Sequence, residues 1–593
     1  MIKTSLPTES GRRIWVPGLL MLITVLIVAC GTAAPAAPAE PQPPATAEES
    51  PTSTGGDEPA PAEQSTPTPA PQGTSAPAQA ADGRNEIVVV TEAEPDSVGA
   101  WSEGCSAEIH SMGCQDFVTD FLTWIDDSNN EVVLLSGIES YEQMAPDRWR
   151  WKIRPGVKFH NGAPFNAAAA KFGLEYNAIP ANVSAAVTWL GPDIKGEVVD
   201  ELTFDLVCPQ ACPIAPRAGI FTDFQDPEWF QNADEGERSG MTMGFGPYRI
   251  IDYQPGVHTK FEAYKDYLPN ENFFAQAPSI QFITHTYRAE ATVRASMVAA
   301  GEADWAADIG FEEEGRVPQA KSGKTAEVYT LVLDTIWHPE LKKQKVRLAL
   351  AHAIDCEGLL QSLFGDRVKC HGAISAAGTV GITPENSAPR EYNPELSRQL
   401  LAEAGYDPAN AIDVNTRPGS NIRGLELMEA TVSFWREVGV TSNLNSWGDL
   451  GKARDVQNSG CGNFSEETGF REKMDCAQRK PPGPYFASSH AYEVATSNEI
   501  LDMQRFNQSR LSCFNRSSRV CFPELQAQLD AANAIPAGPE RTQAMVEIGN
   551  IAYEQVYFIP FFEVVMVYGL SDAIEWEPYY APRLRGNTIR FKQ

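Results

Sequence analysis

From Arg148 to Arg154, bulky apolar and basic side chains alternate. Trp149, Trp151 and Ile153 lie on one face, and Arg150, Lys152 and Arg154 on the other. That period of two predicts a half-buried strand with a basic outer face. Pro155-Gly156 breaks it, Val157-Lys158-Phe159 restarts a short extended run, and Asn161-Gly162 signals a tight turn. Asn166 then caps a helix whose Ala167–Ala170 body has high intrinsic propensity. Further strands are predicted at Ile87–Thr91, Ser279–Ile283, Val328–Leu333 and from Val440 to near Trp447. Helices are predicted at 290–300, 342–360, 393–404 and 424–438 and within 525–557. In the third of these, Asn393 suits the N-cap, Pro394 the first turn and Gly405 the stop. Strands alternating with helices indicate an α/β chain.

The segment Arg154–Ala167 resembles the signature of extracellular solute-binding protein family 5 of ABC importers, which includes oligopeptide-, dipeptide- and nickel-binding proteins. Arg154, Gly156, Val157, Lys158, Phe159, His160, Gly162, Pro164, Phe165 and Ala167 fall on that signature. Asn161 stands where the family has an acidic residue, and alanine fills the acidic position in the following helix. Further similarity runs through Gly244–Tyr248, Gly301–Asp304, Val346–Asp355, Asn393–Tyr406, Gly439–Trp447 and Ile559–Phe562. Ile87–Thr91 and the apolar run Phe117–Ile125 resemble the family's opening strand and first helix. The "G-W-x-A-D-Y" segment of many peptide-binding relatives is missing from residues 449–512.

The resemblance implies a two-lobed periplasmic-binding-protein-like α/β fold of type II, in its large cluster, with an extra subdomain in lobe one. The implied order is lobe one at 85–284, with the subdomain at about 131–200, then lobe two at 285–556 and a return to lobe one at 557–593.

The 593 residues suffice for two or three domains with sizeable cores. With 78 acidic against 47 basic residues the formal net charge is −31, so a nucleic-acid partner is not expected. Residues 1–30 read as an export signal: Lys3, Arg12 and Arg13, then a mostly apolar stretch ending Leu26-Ile27-Val28-Ala29-Cys30. That ending resembles a lipobox, which makes Cys30 the acylation site. Residues 31–84 are rich in Pro, Ala, Ser and Thr and are expected to form a disordered tether, reaching on the order of 150 Å at ~3.1 Å per extended residue. The other ten cysteines fall into close pairs expected to form disulfides in an exported chain: Cys105 with Cys114, Cys208 with Cys212, Cys356 with Cys370, Cys461 with Cys476 and Cys513 with Cys521. The sequence alone leaves their connectivity open.

The expected function is that of a lipid-anchored, monomeric binding protein on the outer face of the cytoplasmic membrane. It would capture a small solute, a peptide by preference, between its lobes and deliver it to permease and ATPase subunits, with no cofactor and no metal. Asp334, Arg423 and Trp447 are the ligand-binding candidates: an acceptor for an amine, a fork for a carboxylate and a stacking surface. Two other readings are an extracellular receptor or adhesin on the same fold and a hydrolase. No zinc-helix motif or nucleophile elbow occurs, and Gly323-Lys324-Thr325 lacks the earlier glycine of a phosphate loop.

Overall fold

The computed structural model describes residues 83–95, 97–101, 116–178, 190, 193–416, 423–446, 489–515, 517–580 and 583–592. Cys30, the expected export signal, nearly all of the expected tether and Trp447 lie outside them. So do the expected disulfide between Cys105 and Cys114 and that between Cys461 and Cys476. Among the described residues no helix is long and apolar enough to cross a membrane.

After β1 (Glu86–Thr91), a hairpin of β2 (Thr123–Asp126) and β3 (Glu131–Leu134) leads into β4 (Ile138–Ala145) and β5 (Arg148–Ile153). Trp149, Trp151 and Ile153 are buried on one face of β5. On the other face, Arg148 and Arg150 converge on the Asp205 carboxylate at 3.0 and 2.8 Å. Asn166 accepts the Ala169 N–H and starts α1 (Ala167–Asn177). With β6 (Lys195–Asp200) and β7 (Thr203–Val207), this stretch closes a separate sheet in the order β4-β5-β7-β6. Its apolar face and α1 form one hydrophobic cluster.

The run Phe117–Ile125 forms a turn followed by β2 rather than the expected helix. Phe117, Val118, Phe121, Leu122, Trp124 and Ile125 are all buried. Thr119, Asp120 and Thr123 are buried as well, so the run has no exposed face whose period would separate helix from strand.

The chain continues through β8 (Tyr248–Gln254), β9 (His258–Ala263), β10 (Phe282–Tyr287), α2 (Ala291–Ala299) and β11 (Trp305–Ala306) to the long β12 (Gln319–Leu333). Helices α3 (Gln344–His352) and α4 (Cys356–Phe364) replace the single expected helix. Asp355 divides them, accepting the Gly358 N–H at the start of α4. Then come α5 (Pro394–Glu403), β13 (Ile412–Thr416), α6 (Gly424–Glu437), β14 (Ser442–Ser446), β15 (Ala491–Ser497), α7 (Pro523–Ala534), α8 (Pro539–Gln555) and β16 (Phe558–Leu570).

Ten of these strands make one sheet, in the order β14-β13-β15-β12-β16-β11-β1-β10-β9-β8. Strands β1, β10 and β11 are parallel, as are β13, β14 and β15. Between the two groups β12 and β16 run antiparallel along nearly their whole lengths, from Gln319–Leu570 to Val332–Phe558. The first part of β16 borders β12 opposite β15, and its end pairs with β11. These two strands carry the chain from one half of the molecule to the other and back. β10 and β11 stay beside β1, so the outward crossing runs along β12, later than the expected boundary at residue 284. The pairing of β12 with β16 shifts register between Lys324 and Val328 and again between Tyr329 and Thr330, at mid-crossing. Such irregularities bend a strand and raise its local twist.

Candidate functional site

Strand direction locates the site. β1, β10 and β11 run toward the second half, and β13, β14 and β15 run toward the first. Their carboxyl ends, Thr91, Tyr287 and Ala306 on one side and Thr416, Ser446 and Ser497 on the other, face each other across β12 and β16. Ligands of open α/β sheets bind outside strand carboxyl ends, and clefts between two halves of a molecule are usual small-molecule sites.

A pocket of about 540 Å³ opens here, lined by Asp308, Phe311, Glu327, Tyr329, Phe364 and Phe562 among others. Asp308 follows β11 in a left-handed conformation, with φ 39°. Buried Arg294 on α2 fixes that turn. Its guanidinium donates to the carbonyls of Arg288, Ala289, Ala307 and Asp308, tying the ends of β10 and β11 together. Burial pushes the Asp308 carboxyl up to about 6, against the opposing pull of Arg294. Tyr329 is fully buried and stacks on Phe562, with ring centroids 5.4 Å apart. Gly424 at the start of α6 leaves room for its hydroxyl, because a Cβ there would lie 2.7 Å from that oxygen and 3.0 Å from the Glu493 carboxylate. Thr416 donates to the other Glu493 oxygen at 2.8 Å.

The opposite flank of the crossing is a seam in contact. Ile500 and Leu501, just past β15, are buried in the cluster built on the four-stranded sheet. Arg217 donates to the Ile500 carbonyl at 2.9 Å and to the Asn130 side chain at 2.8 Å, while Asn130 donates to the Gly378 carbonyl at 2.7 Å. Asp502 anchors the turn from behind in a two-bonded pair with Arg541, at 2.6 and 2.8 Å.

The expected ligand residues divide. Asp334 follows the far end of β12, seven residues beyond Glu327, or roughly 20 Å along a strand. It is 2% exposed, and one carboxylate oxygen accepts the Ile336 and Trp337 N–H groups at 2.9 and 3.0 Å. This corrects the expectation of an amine acceptor: Asp334 holds a turn on the far side of the second half. Arg423 precedes α6 with φ 56°, beside the crevice, and its guanidinium binds Glu312 at 2.7 Å. That bond holds the Glu312 carboxyl below its ordinary range. Disulfides join Cys208 to Cys212, Cys356 to Cys370 and Cys513 to Cys521, three of the five expected pairs. Cys105 and Cys114, and likewise Cys461 and Cys476, fall outside the described residues, and their pairing stays an expectation. Among the described residues no cluster of three or more His, Cys, Asp or Glu is arranged to hold a metal.

Asp308, Glu327, Tyr329 and Glu493 escaped the sequence reading. Asp308 follows β11, Glu327 and Tyr329 lie midway along β12 and Glu493 lies within β15, so only the pairing of distant segments brings them together. A second pocket, of about 690 Å³, lies by the start of β16. In its polar lining His371 bonds the Ser375 carbonyl and Arg390 the Tyr553 carbonyl.

Residues 138–460, more than half of the chain, match the family described as bacterial extracellular solute-binding proteins, family 5. The protein belongs to that family. Its chain is 26% identical over 341 residues to the glutathione-binding protein GsiB of Pectobacterium atrosepticum and 24% identical over 335 residues to that of Salmonella typhimurium. Both alignments cover 54% of this chain and 61% of the relative, so the chain spans somewhat under two thirds of those proteins. Among solved structures, the fold is similar to the substrate-binding protein CtaP of Listeria monocytogenes, with TM-score 0.69, 15% identity and coverage of 86% of this chain and 99% of that one. It is also similar to DppA of Helicobacter pylori in complex with the peptide STSA, with TM-score 0.67, 15% identity and coverage of 86% and 98%. These likenesses bear on the two-lobed fold.

Proposed function

We propose that this protein is the solute-capturing component of an ABC importer. It binds a peptide or other small solute in the crevice between its lobes and hands it, chemically unaltered, to permease and ATPase subunits. The observation that carries the reading is the convergence of two sets of strand carboxyl ends across two crossing strands. A solute touching both walls stabilises the closed arrangement by its differential affinity for it. The names of the relatives and the bound peptide of the Helicobacter protein support a peptide-sized solute. Arg423, at the crevice margin, and Trp447, directly after β14 in sequence, remain ligand candidates on this reading. Acylation of Cys30 anchors the monomer to the outer face of the cytoplasmic membrane, and the following segment acts as its tether.

Native mass spectrometry of protein purified without denaturation tests the capture step by weighing retained solute. Small-angle scattering before and after its removal tests closure. A retained molecule released unchanged, with expansion on release, is the expected result. Conversion of that molecule, or identical scattering in both states, would overturn the reading.

A further inference from the structure

We propose that the pocket at the start of β16 is a second binding site, for a small organic acid. Arg390 holds the carboxylate, and His371 accepts a hydrogen bond from an N–H or O–H on the acid's apolar body. The inference goes beyond the capture reading and does not rest on it.

The pocket, of about 690 Å³, is separate from the crevice, and the two share no lining residue. Phe561 lines this pocket and its neighbour Phe562 lines the crevice, as successive side chains on opposite faces of β16 should. The walls come mainly from α3 and the residues just after it, from α8 and from the first part of β16. They are mostly apolar, and no Asp or Glu of the described residues lines them.

Arg390 is the one Lys or Arg in the described lining. Its guanidinium lies over the Tyr553 ring, 3.7 Å from the centroid, and Nη2 donates to the Tyr553 carbonyl at 2.6 Å. Its Nε and Nη1 make no hydrogen bond to a described residue. Glu554 attracts the group from the exposed side of α8 but forms no ion pair with it. A guanidinium held by its face keeps its edge for the two oxygens of a carboxylate.

His371 supplies the second, independent observation. It is 9% exposed, and burial lowers its pKa, which keeps the ring neutral. Its Nε2 lies 2.8 Å from the Ser375 carbonyl, which can only accept, so Nε2 carries the proton and Nδ1 is the ring's acceptor. No described residue donates to Nδ1. A buried acceptor without a donor carries a desolvation cost that a ligand N–H or O–H removes. The apolar walls take the hydrocarbon portion. A cationic ligand would meet Arg390 and no lining carboxylate, and a wholly apolar one would leave both polar groups unused.

The test titrates the purified protein, freed of retained solute, with three probes. Indole-3-propionate has the carboxylate and the N–H, tryptamine replaces the carboxylate by an amine, and 1-methylindole-3-propionate lacks the N–H. Calorimetry reads affinity, and hydrogen exchange locates the site. Indole-3-propionate is expected to bind and to protect residues around 371–374 and 549–553. Arg390→Met should weaken it about 10-fold or more, the usual size of a charge-assisted bond. Arg390→Lys, which keeps the charge without the fork, should fall between. Tryptamine should not bind, and the methylated acid should bind more weakly than its parent. Circular dichroism of both variants checks that they fold. No binding of indole-3-propionate, protection around 306–311 and 326–331 instead, equal affinity in wild type and Arg390→Met, or equal binding of tryptamine would overturn the inference. Equal binding of the methylated acid would overturn the part assigned to His371. None of these outcomes bears on the capture reading, which is judged by a retained solute and by closure of the lobes.

Discussion

Asp223 is 4% exposed and lies behind α1, where its backbone carbonyl meets the Asn177 amide. Burial pushes its carboxyl up to about 7, far above an unfolded value near 3.8. The folded chain therefore retains a proton that the unfolded chain releases. The stability from this group is fully present below about pH 3.8 and is lost as pH rises toward 7. Asp223→Asn should thus raise the free energy of unfolding by on the order of 2 kcal/mol at pH 8 and leave it nearly unchanged at pH 4. Urea denaturation at both pH values reads the difference, and an equal effect at the two would refute it. Residues that act on their own neighbours were legible from sequence. Asn166 and Asn393 cap the helices they precede, and Gly162 takes φ 91° in its turn. Asp334 was misplaced because the sequence shows that an acidic residue follows a strand but not which end of the sheet that strand reaches.

At the scale of elements, the stretch Gly244–Tyr248 shows why glycine recurs there. Gly246 donates to the Val118 carbonyl at 3.1 Å and Tyr248 to the Phe117 carbonyl at 2.9 Å, while His160 donates to the Gly244 carbonyl at 2.9 Å. The segment is threaded between two others at backbone contact. A Cβ on Gly246 would lie 2.7 Å from the Val118 carbonyl carbon. Gly246→Ala should cost about 2–4 kcal/mol, since no flexible side chain can yield, whereas Gly315→Ala, with nothing within 4 Å, should be close to neutral. Thermal melts of the two variants compare them directly. The Cys356–Cys370 bridge ties the start of α4 to a bridge partner of Phe562 in β16, across a separation of 14 residues. A loop of that size restricts the unfolded chain by about 3 kcal/mol, so a Cys356→Ser, Cys370→Ser variant should unfold at lower urea, and reductant should bring the wild type toward it. Amphipathic elements such as β5 and α5 could be read from their periods. The 15-residue β12 was seen only as its buried end, Val328–Leu333. Its first part alternates partly buried and exposed residues beside β16, a pattern that needs its partner to be recognised.

At the scale of the molecule, the two-lobed α/β fold was legible through the ordered blocks from Arg154 to Phe562, but the way the lobes meet was not. The seam depends on single contacts between residues hundreds of positions apart. Arg217 is the clearest: its Nη1 reaches the Ile500 carbonyl, 283 residues away, and its Nη2 reaches the Asn130 carbonyl at 2.8 Å. Ile500 and Leu501 are at the same time buried in the first-half cluster. Opening the lobes would break the bond to Ile500 and expose the Ile500 and Leu501 side chains, so the seam favours closure before any solute contributes. Replacing Arg217 by Met keeps much of the hydrocarbon packing and removes the donors, leaving the Ile500 carbonyl to water in the open form. The closed population should then fall, and the apparent affinity for solute should fall by the same factor, about 10-fold for the one lost charge-assisted bond across the seam. Scattering should show a larger radius of gyration for solute-free Arg217→Met than for solute-free wild type, with the two converging at saturation. A radius unchanged without solute, or an expanded one that saturation fails to recover, would show that Arg217 supports the subdomain rather than the closed state.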